Sequence, residues 1–212
     1  MNTFDAIESR RSVKHFDPDH PMPEADIQRL LEAAILSPTS FNMQNWRFVW
    51  VRDEAKRQAI RAAAWNQAQV TDASVLLVLC ADLQAHARDP QRYWQEAPEA
   101  VREIIVPMIG RFYENQPQLQ RDEAMRSVGI ASQTIMLAAR AMGYDSNPMI
   151  GFDPQVVASV IDLPSDHVIG LMLAIGKAVK PAMQRGGQLP LDEVLHVDGF
   201  GEAVALSPVN NS

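Results

Sequence analysis

The sequence predicts an α+β chain, on three observations. Trp46 to Val51 (WRFVWV), Ser74 to Ala81 (SVLLVLCA) and His167 to Gly176 (HVIGLMLAIG) are short β-branched, aliphatic or aromatic runs of strand type, consistent with one buried sheet. Between and around them, apolar residues recur at three- and four-residue spacing, the pattern of amphipathic helices. At 212 residues, 47% of them hydrophobic, the chain can bury a real core in a single domain, 1–212.

Taken in order, a first helix ends at the basic run ESRRSVKHF, Glu8 to Phe16, and gives way to an extended segment. Glu24 to Leu36 carries Ile27, Leu30, Leu31, Ala34 and Ile35 on one stripe and is ended by Ser37-Pro38. Asp53 is placed to cap a helix running through Ala64. A helical region from about Pro90 to Tyr113 interrupts the strand pattern and reads as an excursion from the core, about 84–122. Glu123 to Met142 is the most hydrophobic helix, with Val128, Ser132, Ile135 and Ala139 on one stripe and Gly143 as its C-terminal cap. Asn147 to Asp153 (NPMIGFD) reads as a tight turn, after which Asp153-Pro154 opens a helix to Ile161. After Gly176 the chain is rich in Gly and Pro, with too few apolar residues for its own core. Such an extension, about 177–212, is either disordered or laid over another surface.

Charge and composition remove several function classes. With 26 acidic against 19 basic residues, a broad nucleic-acid or membrane-surface binder is not expected, so any anion site is local. The single cysteine, Cys80, rules out a disulfide framework and is consistent with a reducing compartment. No leader pattern and no apolar run of ~20 residues is present, and a soluble, cytoplasmic protein is expected. There is no G-x-S-x-G, no P-loop and no G-x-G-x-x-G after a strand, and the five histidines never fall at ligand spacing, so no metal site is expected.

Four segments carry candidate chemistry. RRSVK sets Arg10, Arg11 and Lys14 around the hydroxyl of Ser12 where a helix meets an extended segment. That donor set suits a phosphate, although basic residues also favour helix C-termini as a solvated surface. SPTSFNMQNWRF packs Thr39, Ser40, Asn42, Gln44 and Asn45 between a helix and a strand: either a polar turn, or donors and acceptors for a heterocycle with alternating N–H and C=O groups. Asn66 and Gln69 are three apart, on one face if their helix continues. Gly151 would let backbone approach a ligand.

Together and in order, RRSVK, SPTSFNMQNWRF, WNQAQVTDAS, NPMIGFD and AIGKA resemble the nitroreductase family of flavin mononucleotide (FMN) enzymes, over a span from Arg10 to Ala178. The resemblance implies a nitroreductase-like α+β fold, a central mostly antiparallel sheet flanked by helices, and an intertwined homodimer with its FMN sites at the interface. It implies that Arg10 and Ser12, with Arg11 the weaker member, meet the phosphate side, and that Lys14 reaches the pyrimidine edge of the ring. Pro38, Thr39, Ser40 and Asn42 would come from the partner subunit, and Asn66 and Gln69 from the subunit of Lys14. Pro148, Met149, Ile150 and Gly151 would line the other side, with the Ile150 amide near flavin N5. The extension 177–212 would wrap the partner.

Three positions depart from the family pattern. Asn45 stands where a proline often precedes the tryptophan, and Gln69 where some members have lysine. Gln188 replaces an arginine before LPL, and Arg185 is the candidate substitute.

The implied activity is transfer of reducing equivalents from NAD(P)H, a transient co-substrate, to small planar acceptors such as nitroaromatics or quinones, by a ping-pong scheme. Phe41, Phe112 and Tyr113 are candidate pocket walls or core residues. Flavin-dependent dehalogenation or desaturation, or flavin binding without turnover, are the alternatives.

Overall fold

The computed structural model describes residues 1–201. Residues Met1–Ala182 form one compact unit, and a second unit begins at Met183. The first unit is built on an antiparallel four-stranded sheet of order β1-β2-β4-β3, with β1 at Trp46–Val51, β2 at Val75–Asp82, β3 at Asp145–Met149 and β4 at His167–Gly176. The chain is therefore α+β, as its sequence indicates.

All eight residues of β2 are buried, and its alternation assigns them to two cores. Val75, Leu77, Leu79 and Ala81 join Leu173 and Ile175 of β4 beneath α2 (Glu24–Ala34) and the 25-residue α6 (Pro117–Ala141). Leu76, Val78 and Cys80 join Met172 and Ala174 beneath α3 (Glu54–Ala63), α4 (Gln69–Asp72) and α7 (Pro154–Val160), through Ile60, Val70 and Val157. The expected caps are in place: Asp53 accepts from the Lys56 amide at 2.8 Å, and Asp153 accepts from Gln155 and Val156. Gly143, at φ 81°, closes α6 by donating to the Arg140 carbonyl, while Tyr144 donates to Ala139, a Schellman ending.

Four expectations are corrected. NPMIGFD is not only a turn: its first three residues complete β3, an edge strand in which proline is tolerated because one side needs no ladder donor. The region from Pro90 to Tyr113 is broken into a 3₁₀ turn at Pro90–Trp94 and a helix, α5, at Glu99–Tyr113. The major helix begins six residues earlier than Glu123, at Pro117, so the excursion ends inside it. And α3 does not continue to Gln69: Trp65 and Asn66 lie at φ 52° and 58°, in the left-handed region, and reverse the chain before α4.

Candidate active site

The first helix, α1 (Thr3–Ser9), ends at Arg10, whose backbone is extended, and the chain then meets the β3 edge at Ser12. Ser12 bridges Ser146 in parallel, and the Val13 amide donates to the Ser146 carbonyl at 3.1 Å. Val13 is buried in the core, so the period of an extended chain turns Arg10, Ser12 and Lys14 together to the opposite side. Arg11 is engaged with the backbone instead, where its guanidinium donates to the carbonyls of Glu8 and Arg10 and closes the end of α1. Because bridge partners share a face, Ser146 points to the same side as Ser12. Its Oγ is buried with no hydrogen-bond partner among the described residues. A buried orphan hydroxyl bridged to a second serine, within a run that also carries Arg10 and Lys14, offers donor chemistry that a phosphate ester satisfies. Ser146 lacks a sequence signal, being one polar residue ahead of the motif.

Beyond β3 the chain turns at Ile150, which is 82% exposed, and Gly151. A Cβ on Gly151 would stand 2.9 Å from the Trp65 ring, so glycine is needed for close approach. The Gly151 carbonyl accepts from Gln67 Nε2 at 2.8 Å, and Gln67 Oε1 accepts from Gln69 Nε2 at 2.9 Å. Gln69 is buried, while Asn66 is exposed on the preceding reversal. The two amides singled out from the sequence thus do not share a face, and the residue between them, Gln67, joins one of them to the turn.

The loop from Pro38 to Asn45 is held elsewhere. Phe41, Asn42 and Gln44 all have positive φ, and side-chain hydrogen bonds fix them. Thr39 Oγ1 accepts from the Gln44 amide at 3.0 Å, Ser40 Oγ accepts from the Tyr113 hydroxyl at 2.7 Å, and Asn42 Nδ2 donates to the Tyr93 carbonyl at 2.8 Å. What remains to offer a ligand includes the hydroxyl protons of Thr39 and Ser40 and, on Asn42, Oδ1 and the second Nδ2 proton. Phe41, Phe112 and Tyr113 cluster, with ring centroids 4.9 to 6.2 Å apart. Phe112 is exposed, whereas Tyr113 is buried and its hydroxyl, occupied by Ser40, is pushed above its ordinary pKa chiefly by burial.

The two clusters stand at opposite corners. In register, Trp46, which follows the loop, aligns with Ala81 and Val168, while Ser12 aligns with Ser146 and Ile175; strand spacing of ~4.8 Å and rise of ~3.3 Å per residue put Trp46 and Ser12 roughly 30 Å apart across the sheet. In the second unit Arg185 and Gln188 are both exposed.

One further charged group lies at the end of β2. Ligand atoms of Asp82, Asp166 and His167 fall within 4.8 Å of one another, but Arg47 and Arg88 pair with Asp82 and Arg88 pairs with Asp166 as well. Two guanidinium groups neutralise these carboxylates, which makes the group an ion-pair network. No helix among the described residues is long and apolar enough to cross a membrane.

Comparison with known proteins gives consistent results. A model of the nitroreductase family matches residues 7–177. Protein DrgA of Synechocystis sp. is 54% identical over 200 residues, covering 92% of this chain and 95% of its own. An NADH dehydrogenase of Thermus thermophilus is 35% identical, covering 88% of this chain and 91% of its own. Among solved structures, a protein assigned as a nitroreductase from Exiguobacterium sibiricum, crystallised in complex with FMN, matches with a TM-score of 0.86 at 30% identity, over 93% of this chain and 97% of its own.

Proposed function

The chain belongs to the nitroreductase family, and we propose that it is an FMN-dependent oxidoreductase that moves reducing equivalents from NAD(P)H to nitroaromatic or quinone-type acceptors. The observation that carries this reading is the extended run that presents Arg10, Ser12 and Lys14 on the face of the orphan Ser146 hydroxyl, within a chain of this family.

Arg10 and Ser12 would hold the phosphate, with Ser146 beneath it. Lys14 would stand at the pyrimidine edge, where its charge favours the electron-rich form of the ring. The Ile150 amide would donate at N5. When bound, FMN accepts hydride and passes electrons on, so the protein must bind it, orient it and tune it. NAD(P)H and acceptor would use one face of the flavin in turn, in a ping-pong scheme. Phe41 and Phe112 are the candidate walls for a planar acceptor.

The placement of Trp46 and Ser12 at opposite corners of the sheet supports a homodimer in which the loop Pro38–Asn42 of one chain serves the socket of the other. In the second unit Met183, Leu189, Leu191, Val194 and Phe200 are all exposed, as expected of a segment that covers a partner. Arg185 would complete the phosphate site in place of Gln188. A reducing, cytoplasmic location fits the buried thiol of Cys80, which burial pushes up to about 12.

The test is direct. The purified protein should be yellow and release FMN, not FAD, on denaturation. NAD(P)H should bleach the bound flavin, and menadione or a nitroaromatic should restore the colour. A colourless protein that takes up no FMN, or a flavoprotein that NAD(P)H does not bleach, would overturn the reading.

A further inference from the structure

We infer that Gln67, seated on the buried Gln69, is a positioning residue that sets the Ile150–Gly151 turn against the flavin; this rests on the FMN reading above. Ile150 cannot anchor itself, because its side chain is 82% exposed. The turn is held instead by the reversal that ends α3. The Asp153 amide donates to the Ala63 carbonyl at 2.9 Å, the Trp65 ring packs against Gly151, and Gln67 Nε2 donates to the Gly151 carbonyl at 2.8 Å. The first two contacts fix where the turn lies. Within the turn the Phe152 amide donates to the Ile150 carbonyl at 3.1 Å, and the Gln67 bond adds the side-chain contact that orients the Gly151–Phe152 peptide.

A glutamine in a reversal would ordinarily sample many rotamers, at an entropic cost when ordered. Here Gln69 removes that freedom. Its Nε2 donates to Gln67 Oε1 at 2.9 Å, which both orients the Gln67 amide and leaves its Nε2 aimed at Gly151. Gln69 is 3% exposed, so this bond also satisfies a donor that would otherwise be buried unpaired. The position where some relatives carry lysine thus serves, in this chain, the backbone beside the flavin instead of the flavin itself. Gln67 holds the Gly151–Phe152 peptide, two peptides after the one that carries the Ile150 N–H, so the relay would act on that N–H through the rigidity of the turn, keeping it aligned with N5.

Three proteins separate this role from general stability: wild type, Gln67→Met, and the double variant Gln67→Met/Gln69→Met. The single variant strands the Gln69 amide, while the double one replaces both polar partners and should recover much of the thermal stability. Hydrogen exchange in the FMN-free protein should be about five-fold faster at the amides of Phe152 and Asp153 in both variants, and unchanged in β2. That measurement stands even if FMN is not the cofactor. In the FMN-loaded proteins both variants should have a shifted midpoint potential and hold FMN several-fold more weakly. Unchanged exchange at Phe152 and Asp153 would overturn the relay. Faster exchange with an unchanged potential would overturn its role toward the flavin.

Discussion

The socket along β3 and the loop before β1 have similar polar compositions and are built in opposite ways. In the socket, backbone contacts supply the structure through buried Val13 and its bond to Ser146, with Ser12 bridged to Ser146. In the loop, three residues with positive φ are stabilised by the side chains of Thr39, Ser40 and Asn42 themselves, so those groups reach any ligand only with what remains. A polar cluster is therefore informative about binding only after its internal bonds are subtracted. Substitutions in the socket should cost ligand, and substitutions in the loop should cost stability first.

The largest expected effect tests that contrast. Arg10→Ala should weaken FMN binding by about ten- to a hundredfold, the worth of a charge-assisted contact of ~1.5 to 3 kcal/mol. Asn42→Ala should instead lose about 2 kcal/mol of stability, from the Tyr93 bond and the positive φ of 54°, before any effect on FMN is counted. Asn42→Gly should recover part of that by relieving the backbone. Mixed dimers of the Arg10→Ala and Asn42→Ala chains sharpen the comparison. If the two corners serve one site across the interface, a mixed dimer has one doubly defective site and one intact site, and half the FMN should bind with wild-type affinity. Uniformly weakened sites would place both corners in one protomer's site.

Next in size is the second unit, which should join the two corners by holding the dimer together. Removing residues from Val194 onward should weaken association and FMN retention together, although the socket and the loop are both intact, because a ligand bound only by the dimer stabilises it by mass action. This segment includes residues 202–212, outside the described part of the chain. Sedimentation with and without FMN is the measurement; a monomer that retains FMN tightly would remove the shared site.

Smaller still is Lys14→Met, which keeps the side chain's length and removes its charge. Since the buried Gln69 is turned to Gln67, no second cation from α4 substitutes for it. The flavin's midpoint potential should fall and its reduction by NAD(P)H should slow several-fold, with the fold intact. A potential equal to or above that of wild type would leave Lys14 as a solvated residue.

What could be read from the sequence follows the same division. Elements with a strong period or a cap chemistry were legible: β1, β4, the Asp53 and Asp153 caps and the Gly143 ending all occur where residue type alone puts them. β3 was hidden because DSNPM has no alternating apolar pattern and contains proline, and its strand character comes from pairing with β4. The socket was visible as RRSVK, but which of its members point outward depends on the bridge to Ser146, a residue 134 positions away. Gln67 was invisible for a related reason. Nothing local distinguishes it from Asn66 or Gln69, and only the reversal at Trp65 and Asn66 brings it to Gly151.

The smallest predicted effect concerns how acid should separate the two corners. His86 is 7% exposed, packed against the Tyr113 ring with centroids 5.8 Å apart, with the Gln120 amide 3.4 Å from its Nε2. Burial lowers its pKa, and the opposing pull of the Leu83 backbone and Asp82 does not cancel that. The unfolded chain takes up this proton near the ordinary value of ~6.5, and the folded chain only at lower pH. Between those values the unfolded state holds more protons, so stability is full at neutral pH and falls as the medium is acidified through about 6.5. The Asp166 carboxyl, held low by His167 and Arg88, contributes in a separate window below about pH 4, where its own protonation begins. Tyr113 connects His86 to the loop through Ser40, and Val13 of the socket packs in a different core. Acidification from about pH 7 to about pH 5 should therefore speed hydrogen exchange at the amides of Asn42, Met43 and Gln44 before that of Val13. In His86→Gln, which cannot charge, the thermal midpoint should be nearly flat over the same range, and a slope equal to that of wild type would assign the acid sensitivity to another group.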